Sequence, residues 1–388
     1  MANILLIWEL GGASGHLANL SPWLREGARR GHRITLAAPA RERARQWFAD
    51  LDIDIVDAPR SAPPGRPPDG RQMSFTQIML HSLGDAARVT PLVERWQSLF
   101  ETVQPDTVIY EFAPTALIAS LGGQWQKWIV GNGYTLPRAD LPYFGLFPRI
   151  RNTPDNAAIL AAAEARLAAL VNAAQPLAIA HPAELFTQAD QQLLMTLPEI
   201  DPFGTRPHPP YLGISAAAGS GAAPQWPDGA GFRVFAYLQP FPGLQLLLQR
   251  LGSEGARVLV YSPELPPALR PAVPGVVFSD TPVDLDQAFS EAELAITMGN
   301  HTTTAQAWLA GVPLLVIPRG LEQFYTVRRM VDAGRAVGAR ADALDAAAVD
   351  AALALARRGR FDNPPLQRRR MGGEVLGETV ARLFDQME

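Results

Sequence analysis

A histidine and a glutamate each follow an apolar run that predicts a buried strand. His16 comes after NILLIW (3–8) and the glycine-rich turn ELGGASGH, and Glu111 comes near the end of DTVIYEF (106–112). Because the carboxyl ends of parallel strands lie at the same edge of their sheet, the two side chains can meet there. An imidazole held by a carboxylate can act as a general base near neutral pH. The alternatives are that His16 only caps a helix and that Glu111 is a solvated acid.

The glycine-rich turn does not match the known phosphate-binding fingerprints. Gly11, Gly12 and Gly15 lack the G-x-G-x-x-G spacing, and the next strand ends in 37–39 (Ala-Ala-Pro) with no carboxylate for a ribose. No lysine stands in the turn before a serine or threonine, which excludes a P-loop. We therefore expect the turn to place His16 at the first position of a helix.

A second group of polar residues lies in ITMGNHTTTAQAWLAGVPLLVIPRGLEQF (296–324). We expect a strand to end at Met298 and a helix to begin with the three threonines. The free N–H groups and the dipole of a helix start attract anions such as a diphosphate, although the threonines could merely cap the helix. Glu322 and Gln323 are expected at the end of the next strand, where their acceptors and donors suit the hydroxyls of a sugar.

Composition limits the classes of function. The 388 residues carry a formal net charge of −4, which offers no basic field for nucleic acid or an anionic membrane. The chain contains no cysteine, so disulfides, thiolate zinc sites and cysteine nucleophiles are excluded. There is no signal-peptide pattern at the start and no uncharged apolar run of about 20 residues, so we expect a cytoplasmic protein without a transmembrane segment.

Strands and helices alternate along the chain, which indicates a doubly wound α/β fold. The small and flexible run SAAAGSGAAP (215–224) is the clearest break in composition, and the strand–helix pattern restarts after it. We expect a Rossmann-like domain over 1–212, a linker over 213–227, a second such domain over 228–371, and a C-terminal helix over 372–388 that can pack back on the first domain. Two such domains imply a cleft between them.

Taken together, these segments resemble the GT-B glycosyltransferases that use nucleotide sugars, of the macrolide and plant natural-product type. GHLANLSPWLREGARRGHRITLAAP (15–39) looks like the opening helix and second strand of that family. GNHTTTAQAWLAGVPLLVIPRGLEQ (299–323) looks like its donor-binding signature. The resemblance covers nearly the whole chain and implies a GT-B fold, in which two Rossmann-like domains face each other across a cleft.

The resemblance also implies roles for individual residues. His16 matches the histidine that deprotonates the acceptor, and Glu111 falls where the family usually has an aspartate that holds this histidine. Thr302 and Thr303 match the positions that hold the donor diphosphate. The remaining donor-binding positions are Gln239 near the phosphates, Val283 at the base, Gly299, Asn300 and His301 in the turn, Gln306 at the ribose, and Glu322 and Gln323 at the sugar. Gly12 and Ser14 belong to a loop of the first domain that is expected near the donor.

Hydrophobic residues occupy the region where the family builds its acceptor pocket. They belong to MSFTQIMLHSLGDAARVTPLVERWQSLF (73–100), which we expect to be helical, and the candidates are Phe75, Ile78, Met79 and His81. They favour a hydrophobic small molecule as acceptor, although they could equally be ordinary core residues.

Besides Glu111, this chain departs from the family pattern at three further places. Met298 stands where many members have a phosphate-contacting histidine, for which His301 could compensate. Gln306 replaces a glutamate that is common at the ribose position. The segment 278–285 contains no tryptophan to stack on a nucleobase.

The implied activity is inverting transfer of a hexose from a UDP- or dTDP-sugar to a nucleophile on a hydrophobic small molecule. It needs no metal and no cofactor besides the nucleotide sugar, and the protein would be a monomer or homodimer. Two alternatives remain, a sugar-nucleotide epimerase of the same fold and a catalytically inactive auxiliary subunit.

Overall fold

A computed structural model describes residues 1–11, 15–60, 72–215, 221–363 and 373–387. Gly12 and Ser14 lie outside the described residues. The chain forms two compact units. The first comprises Met1–Thr196, Thr205–Ser215 and Val375–Glu388, and the second comprises Leu197–Gly204 and Ala216–Glu374.

The first unit is built on a six-stranded parallel sheet with the strand order β3-β2-β1-β4-β5-β6. Its strands are β1 (Asn3–Trp8), β2 (Arg33–Ala38), β3 (Asp54–Asp57), β4 (Thr107–Glu111), β5 (Gln126–Gly131) and β6 (Gln191–Leu194). The central strands are almost wholly buried, as expected when helices cover both faces of a parallel sheet. In the register of β1 with β4, Trp8 lies opposite Glu111.

The helices of the first unit are α1 (Gly15–Arg29), α2 (Arg41–Trp47), α3 (Phe75–Leu83), α4 (Ala86–Val103), α5 (Pro114–Ala119), α6 (Pro154–Ala174), α7 (Glu184–Thr187) and, at the end of the chain, α13 (Glu374–Asp385). One core cluster joins β1, α1 and α13, and α13 contributes Leu376, Val380, Leu383 and Phe384. The last helix of the chain is therefore part of the hydrophobic core of the first unit.

The helical region around residue 84 differs from the expectation. We predicted that 73–100 is helical without placing a break in it, and the structure divides it into two helices, because Gly84 adopts a φ of +80° that ends α3. The carboxylate of Asp85 then accepts the backbone N–H of Arg88 at 3.0 Å and caps the start of α4. Strands β5 and β6 were not identified from the sequence.

Helix α6 is long and apolar enough to cross a membrane by length and composition alone. Core helices of other proteins pass the same test, and α6 packs against α3 and α4. It carries Asp155, Glu164 and Arg166, and the Glu164 carboxylate accepts the backbone N–H of Phe144 at 2.6 Å. We regard α6 as weak evidence for a membrane span.

The second unit repeats the architecture of the first. Its six parallel strands have the order β12-β11-β10-β7-β8-β9. The strands are β7 (Arg233–Tyr237), β8 (Arg257–Tyr261), β9 (Val276–Ser279), β10 (Leu294–Thr297), β11 (Leu314–Val316) and β12 (Ala336–Gly338). The helices are α8 (Leu244–Ser253), α9 (Leu285–Glu291), α10 (His301–Leu309), α11 (Leu321–Asp332) and α12 (Ala346–Ala356), with a 3₁₀ turn at Pro267–Leu269.

Both sheets reverse their strand order at a central pair, β1 with β4 in the first unit and β7 with β10 in the second. Open α/β sheets bind ligands beyond the carboxyl ends of the strands at such switch points. His16 and Glu111 follow or end the first pair, and Gln239 and Asn300 follow the second. The topology therefore brings the candidate residues of each unit to the place where a ligand is expected.

Candidate active site

His16 and Glu111 form a directly hydrogen-bonded pair. Nδ1 of His16 lies 2.6 Å from Oε2 of Glu111, whose side chain is fully buried. The other carboxylate oxygen accepts a hydrogen bond from Nδ2 of Asn19 at 3.2 Å. Since Nδ1 faces the carboxylate, Nε2 is the nitrogen that can take a proton from a substrate. His16 is the second residue of α1, which begins at Gly15, and not the first as expected.

Two aromatic rings hold the imidazole of His16 from either side. The Trp8 ring stacks on it at a centroid distance of 5.3 Å, and the Phe112 ring stacks at 6.0 Å. Nε1 of Trp8 is fixed by donation to the carbonyl of Leu10 at 2.6 Å. Phe112 has a φ of +43°, an unusual backbone conformation for a bulky residue. The ring orientation of His16 is thus set by packing as well as by Glu111.

Gly11 allows the glycine-rich turn to approach the imidazole. Its φ is +91°, and a Cβ built on it would lie under 3.0 Å from three ring atoms of His16, Nε2 among them. A side chain at residue 11 would therefore occupy the space that the imidazole fills. A glycine is required here for close approach of the backbone and for its left-handed conformation.

Glu9 is a buried carboxyl group that sequence reasoning missed. It accepts hydrogen bonds from the backbone N–H of Thr115 at 2.9 Å and of Ala116 at 3.3 Å, and from the Thr115 hydroxyl at 2.7 Å. Burial raises the pKa of Glu9 to about 7, although these hydrogen bonds act in the opposite direction. The Leu10 N–H also donates to the Phe112 carbonyl at 3.0 Å. These hydrogen bonds hold the segment after β1 against the segment after β4, and His16 and Glu111 lie beside those segments.

In the second unit, the turn after β10 leads into the start of α10. The strand ends at Thr297, and the helix begins at His301, so both bounds differ slightly from the expected Met298 and first threonine. No side chain caps the helix at Asn300, and the N–H groups of the first turn have no partner within the helix. Thr303 is buried at this end. The helix start can therefore receive an anion.

Burial suppresses ionisation of the histidine at this helix start. The pKa of His301 falls to about 4 because its ring is removed from water, although part of the residue reaches the surface. At neutral pH the imidazole is uncharged. It can donate or accept a hydrogen bond, but it adds no positive charge for a phosphate.

Glu322 and Gln323 lie in the first turn of α11, and not at the end of a strand as expected. Oε1 of Gln323 accepts the backbone N–H groups of Arg319 at 2.7 Å and Gly320 at 3.2 Å. Its Nε2 donates to Oδ1 of Asn300 at 3.0 Å. The carboxamide of Gln323 thus caps α11 and links this helix to the start of α10.

Gln306 lies on α10 beside a carboxylate that sequence reasoning did not single out. Nε2 of Gln306 donates to Oδ1 of Asp286 on α9 at 3.1 Å. The amide oxygen of Gln306 can accept a hydroxyl, and Asp286 brings a carboxylate beside it.

Val283 is in a short bridge with Ala222. The bridge uses the Pro282 carbonyl and the Asp284 N–H, each at 2.8 Å from its partner on Ala222. In a parallel pairing of this kind, the N–H and C=O of the intervening residue point to the other side. The N–H and C=O of Val283 therefore take no part in the bridge, and its role at a nucleobase stays a prediction.

The four residues expected near an acceptor are buried or half-buried. Phe75 and Met79 are 1% and 3% exposed, and Ile78 and His81 are half-buried. Phe75 borders a cavity of about 10 Å³ that Phe112 also lines, which is space for about one water molecule. Phe75 and Met79 pack as core residues, and the acceptor role of all four stays a prediction.

The residues that the structure describes contain no group of three or more histidine, aspartate or glutamate side chains that could hold a metal ion.

Comparison with known proteins gives one sequence relative and a set of solved structures. No protein-family model matches the chain. Glycosyltransferase GtfC of Amycolatopsis orientalis is 30% identical over 159 residues, which is 41% of this chain and 34% of GtfC. The match thus spans about a third of the length of that relative.

The solved structures match over the full length. The glycosyltransferase of kitacinnamycin has a TM-score of 0.68 and 15% identity, with 100% of this chain and 98% of the other covered. SsfS6 from Streptomyces sp. SF2575, complexed with thymidine diphosphate, has a TM-score of 0.59 and 18% identity, with both chains fully covered. These similarities confirm the GT-B fold expected from the sequence. The proteins that the chain resembles are glycosyltransferases.

Proposed function

We propose that the protein is an inverting glycosyltransferase that transfers a hexose from a nucleotide sugar to a hydrophobic small molecule. The observation that carries the proposal is the pair of His16 and Glu111 at the switch point of the first sheet, 2.6 Å apart and enclosed by aromatic rings. The GT-B fold and the sequence match to GtfC support the same class of reaction.

In this mechanism an acceptor hydroxyl donates its proton to Nε2 of His16. The acceptor oxygen attacks the anomeric carbon from the face opposite the diphosphate, and the bond from that carbon to the diphosphate oxygen breaks. The products are the glycoside with inverted configuration and a nucleoside diphosphate. Glu111 stabilises the imidazolium that forms, and a well-placed base of this kind contributes about 10²- to 10⁴-fold.

The leaving diphosphate is assigned to the start of α10. The N–H groups of its first turn and the hydroxyls of Thr302 and Thr303 would offset the developing negative charge without a metal ion. The ribose is assigned to Gln306 together with Asp286, and the sugar hydroxyls to Glu322 and Gln323.

The proposed donor is a dTDP- or UDP-sugar. The thymidine diphosphate complex of SsfS6 supports dTDP as the nucleotide of the donor. The resemblance to plant enzymes keeps UDP as the second candidate. We retain the expectation of a cytoplasmic monomer or homodimer that needs no cofactor.

The proposal is tested with purified protein, dTDP-glucose and UDP-glucose as donors, and a panel of phenols such as 4-methylumbelliferone. We expect release of nucleoside diphosphate that depends on the acceptor, and NMR should show that the anomeric configuration is inverted. His16→Ala should abolish transfer and leave the affinity for the nucleoside diphosphate unchanged. Turnover that persists in this variant would overturn the assignment of the base.

The same assay separates the alternatives. An epimerase would convert the donor when no acceptor is present. An inactive auxiliary subunit would turn over no donor with any acceptor. Retention of His16 and Glu111 as a bonded pair favours the transferase over both.

A further inference from the structure

A guanidinium side chain reaches across the switch point of the second sheet. Arg319 follows β11, and its Nη1 donates to Oε1 of Gln239, which follows β7, at 2.7 Å. Nε2 of Gln239 in turn donates to Oε1 of Glu264, which follows β8, at 2.7 Å. The three residues form a chain of hydrogen bonds along the carboxyl edge of the sheet.

The strand order determines what lies beneath this contact. Strand β10 lies between β11 and β7 in the sheet. Neighbouring strands are about 4.8 Å apart, so the contact between Arg319 and Gln239 spans roughly 10 Å across the end of β10. The chain that leaves β10 there is the turn 298–300, which leads directly into α10.

A second link joins the backbone of Arg319 to the same helix start. Oε1 of Gln323 accepts the Arg319 N–H, and Nε2 of Gln323 donates to Asn300. Arg319 is thus tied to the start of α10 through one hydrogen-bonded side chain, and its own side chain passes over the end of β10. Both observations place Arg319 at the edge of the sheet from which α10 begins.

The charge of Arg319 is available to a ligand. Among the residues that the structure describes, Arg319 has no carboxylate partner, and its side chain is bound by the neutral carboxamide of Gln239. The nearby His301 is uncharged at neutral pH, as described above, and Met298 is an apolar residue. Neither residue therefore brings a positive charge to this helix start.

We propose that Arg319 is a phosphate-binding residue, whose guanidinium binds the diphosphate of the donor at the start of α10. A planar guanidinium presents paired N–H groups that match two phosphate oxygens. Gln239 holds the side chain in place before the ligand binds, which reduces the entropy lost on binding. The inference rests on the proposed function, since it requires a nucleoside diphosphate at α10.

The experiment is calorimetric titration of dTDP and UDP, and of thymidine and uridine, into the wild type, Arg319→Gln and Arg319→Lys. Arg319→Gln should lower the affinity for the nucleoside diphosphate by about 10- to 100-fold, which is the size expected for the loss of hydrogen bonds to a charged group. It should leave nucleoside affinity unchanged and reduce the dependence of diphosphate affinity on salt. Arg319→Lys keeps the positive charge but lacks the paired N–H groups of the guanidinium. Its diphosphate affinity should therefore fall by less than that of Arg319→Gln.

The control is Arg340→Gln. Arg340 is an exposed arginine of the same unit that pairs with Asp342, and its loss should change neither affinity. If Arg319→Gln binds the nucleoside diphosphate as the wild type does, or loses nucleoside and diphosphate equally, this inference is wrong while the proposed function stands. If the wild type binds neither dTDP nor UDP, the proposed donor is wrong and the inference falls with it.

Discussion

Gly11 lies against the imidazole of His16, so closely that a Cβ at residue 11 would come under 3.0 Å from Nε2, Cε1 and Cδ2 of the ring. The backbone at Gly11 also has a φ of +91°. Nε2 is the nitrogen that our mechanism assigns to proton transfer. The shape of the turn and the position of the base are therefore coupled through this one contact.

Gly11→Ala should displace the imidazole and strain the turn. We expect transferase activity to fall by at least about 100-fold, the low end of the contribution of a general base, while nucleotide affinity is unchanged. Gly15→Ala is the matched control, because Gly15 has ordinary φ and open space where a Cβ would stand. The comparison uses kcat of both variants. Similar losses in the two variants would contradict a specific role for residue 11.

The charge of Glu111 should contribute more to kcat than the hydrogen bond that Glu111 accepts from Asn19. Glu111→Gln keeps the shape of the side chain but cannot stabilise an imidazolium, so we expect kcat to fall by about 10² to 10⁴. Asn19→Ala removes only the donor to Oε1 and should cost a few-fold, in line with a single hydrogen bond of about 1 kcal/mol. Pre-steady-state rates of the two variants, and the pH dependence of these rates, measure both losses. A larger loss in Asn19→Ala than in Glu111→Gln would argue against the dyad.

The C-terminal helix should stabilise the first unit. Phe384 on α13 is fully buried, packs edge-on against Trp128 at 6.0 Å, and lies under the guanidinium of Arg30. We expect Phe384→Ala to cost about 3–5 kcal/mol of unfolding free energy, as for other buried phenylalanines. Urea unfolding followed by tryptophan fluorescence measures the loss. The exposed Leu177 provides the control, and Leu177→Ala should change stability by less than about 0.5 kcal/mol.

The meeting of His16 and Glu111 could be predicted from the sequence because strand ends are easy to recognise. The buried run before Glu111 and the apolar run before His16 place both residues at carboxyl ends, and parallel strands bring such ends together. The predicted break between two α/β halves has the same origin. Residues whose position follows from strand connectivity alone were therefore within reach of sequence reasoning.

Other features depend on packing that a sequence does not display. Strand β5 begins with Gln126 and Lys127, and β6 has only four residues, so neither shows a clear apolar pattern. Gly84 and Asp85 did carry a signal for the break between α3 and α4, which we missed. The position of Arg319 over β10 requires knowledge of the strand order, and the burial of Glu9 requires knowledge of its neighbours.

Glu9 should make stability depend on pH in a direction opposite to most carboxylates. Its pKa is raised from 4.5 to about 7 in the folded protein because it is buried. Between these two values the folded state binds a proton that the unfolded state has released, so stability falls as pH rises from 4.5 to 7 and is constant above that range. The predicted loss is about 3 kcal/mol, since each pH unit corresponds to 1.36 kcal/mol.

Glu9→Gln tests this dependence, because an amide resembles the protonated carboxyl group. Its Nε2 can donate to the Thr115 hydroxyl, which already accepts from Nε1 of Trp96 at 2.9 Å. We expect similar stability of wild type and variant near pH 4.5, and a variant that is more stable by up to about 3 kcal/mol at pH 8. Urea unfolding at several pH values measures the difference. Glu26→Gln should behave in the opposite way, because the adjacent Arg29 lowers the pKa of Glu26 to about 2. The stabilisation that ionised Glu26 gives the folded protein is present above pH 4.5 and is lost as the pH falls towards 2. A difference between wild type and Glu9→Gln that stays constant from pH 4.5 to 8 would show that Glu9 does not titrate in this range.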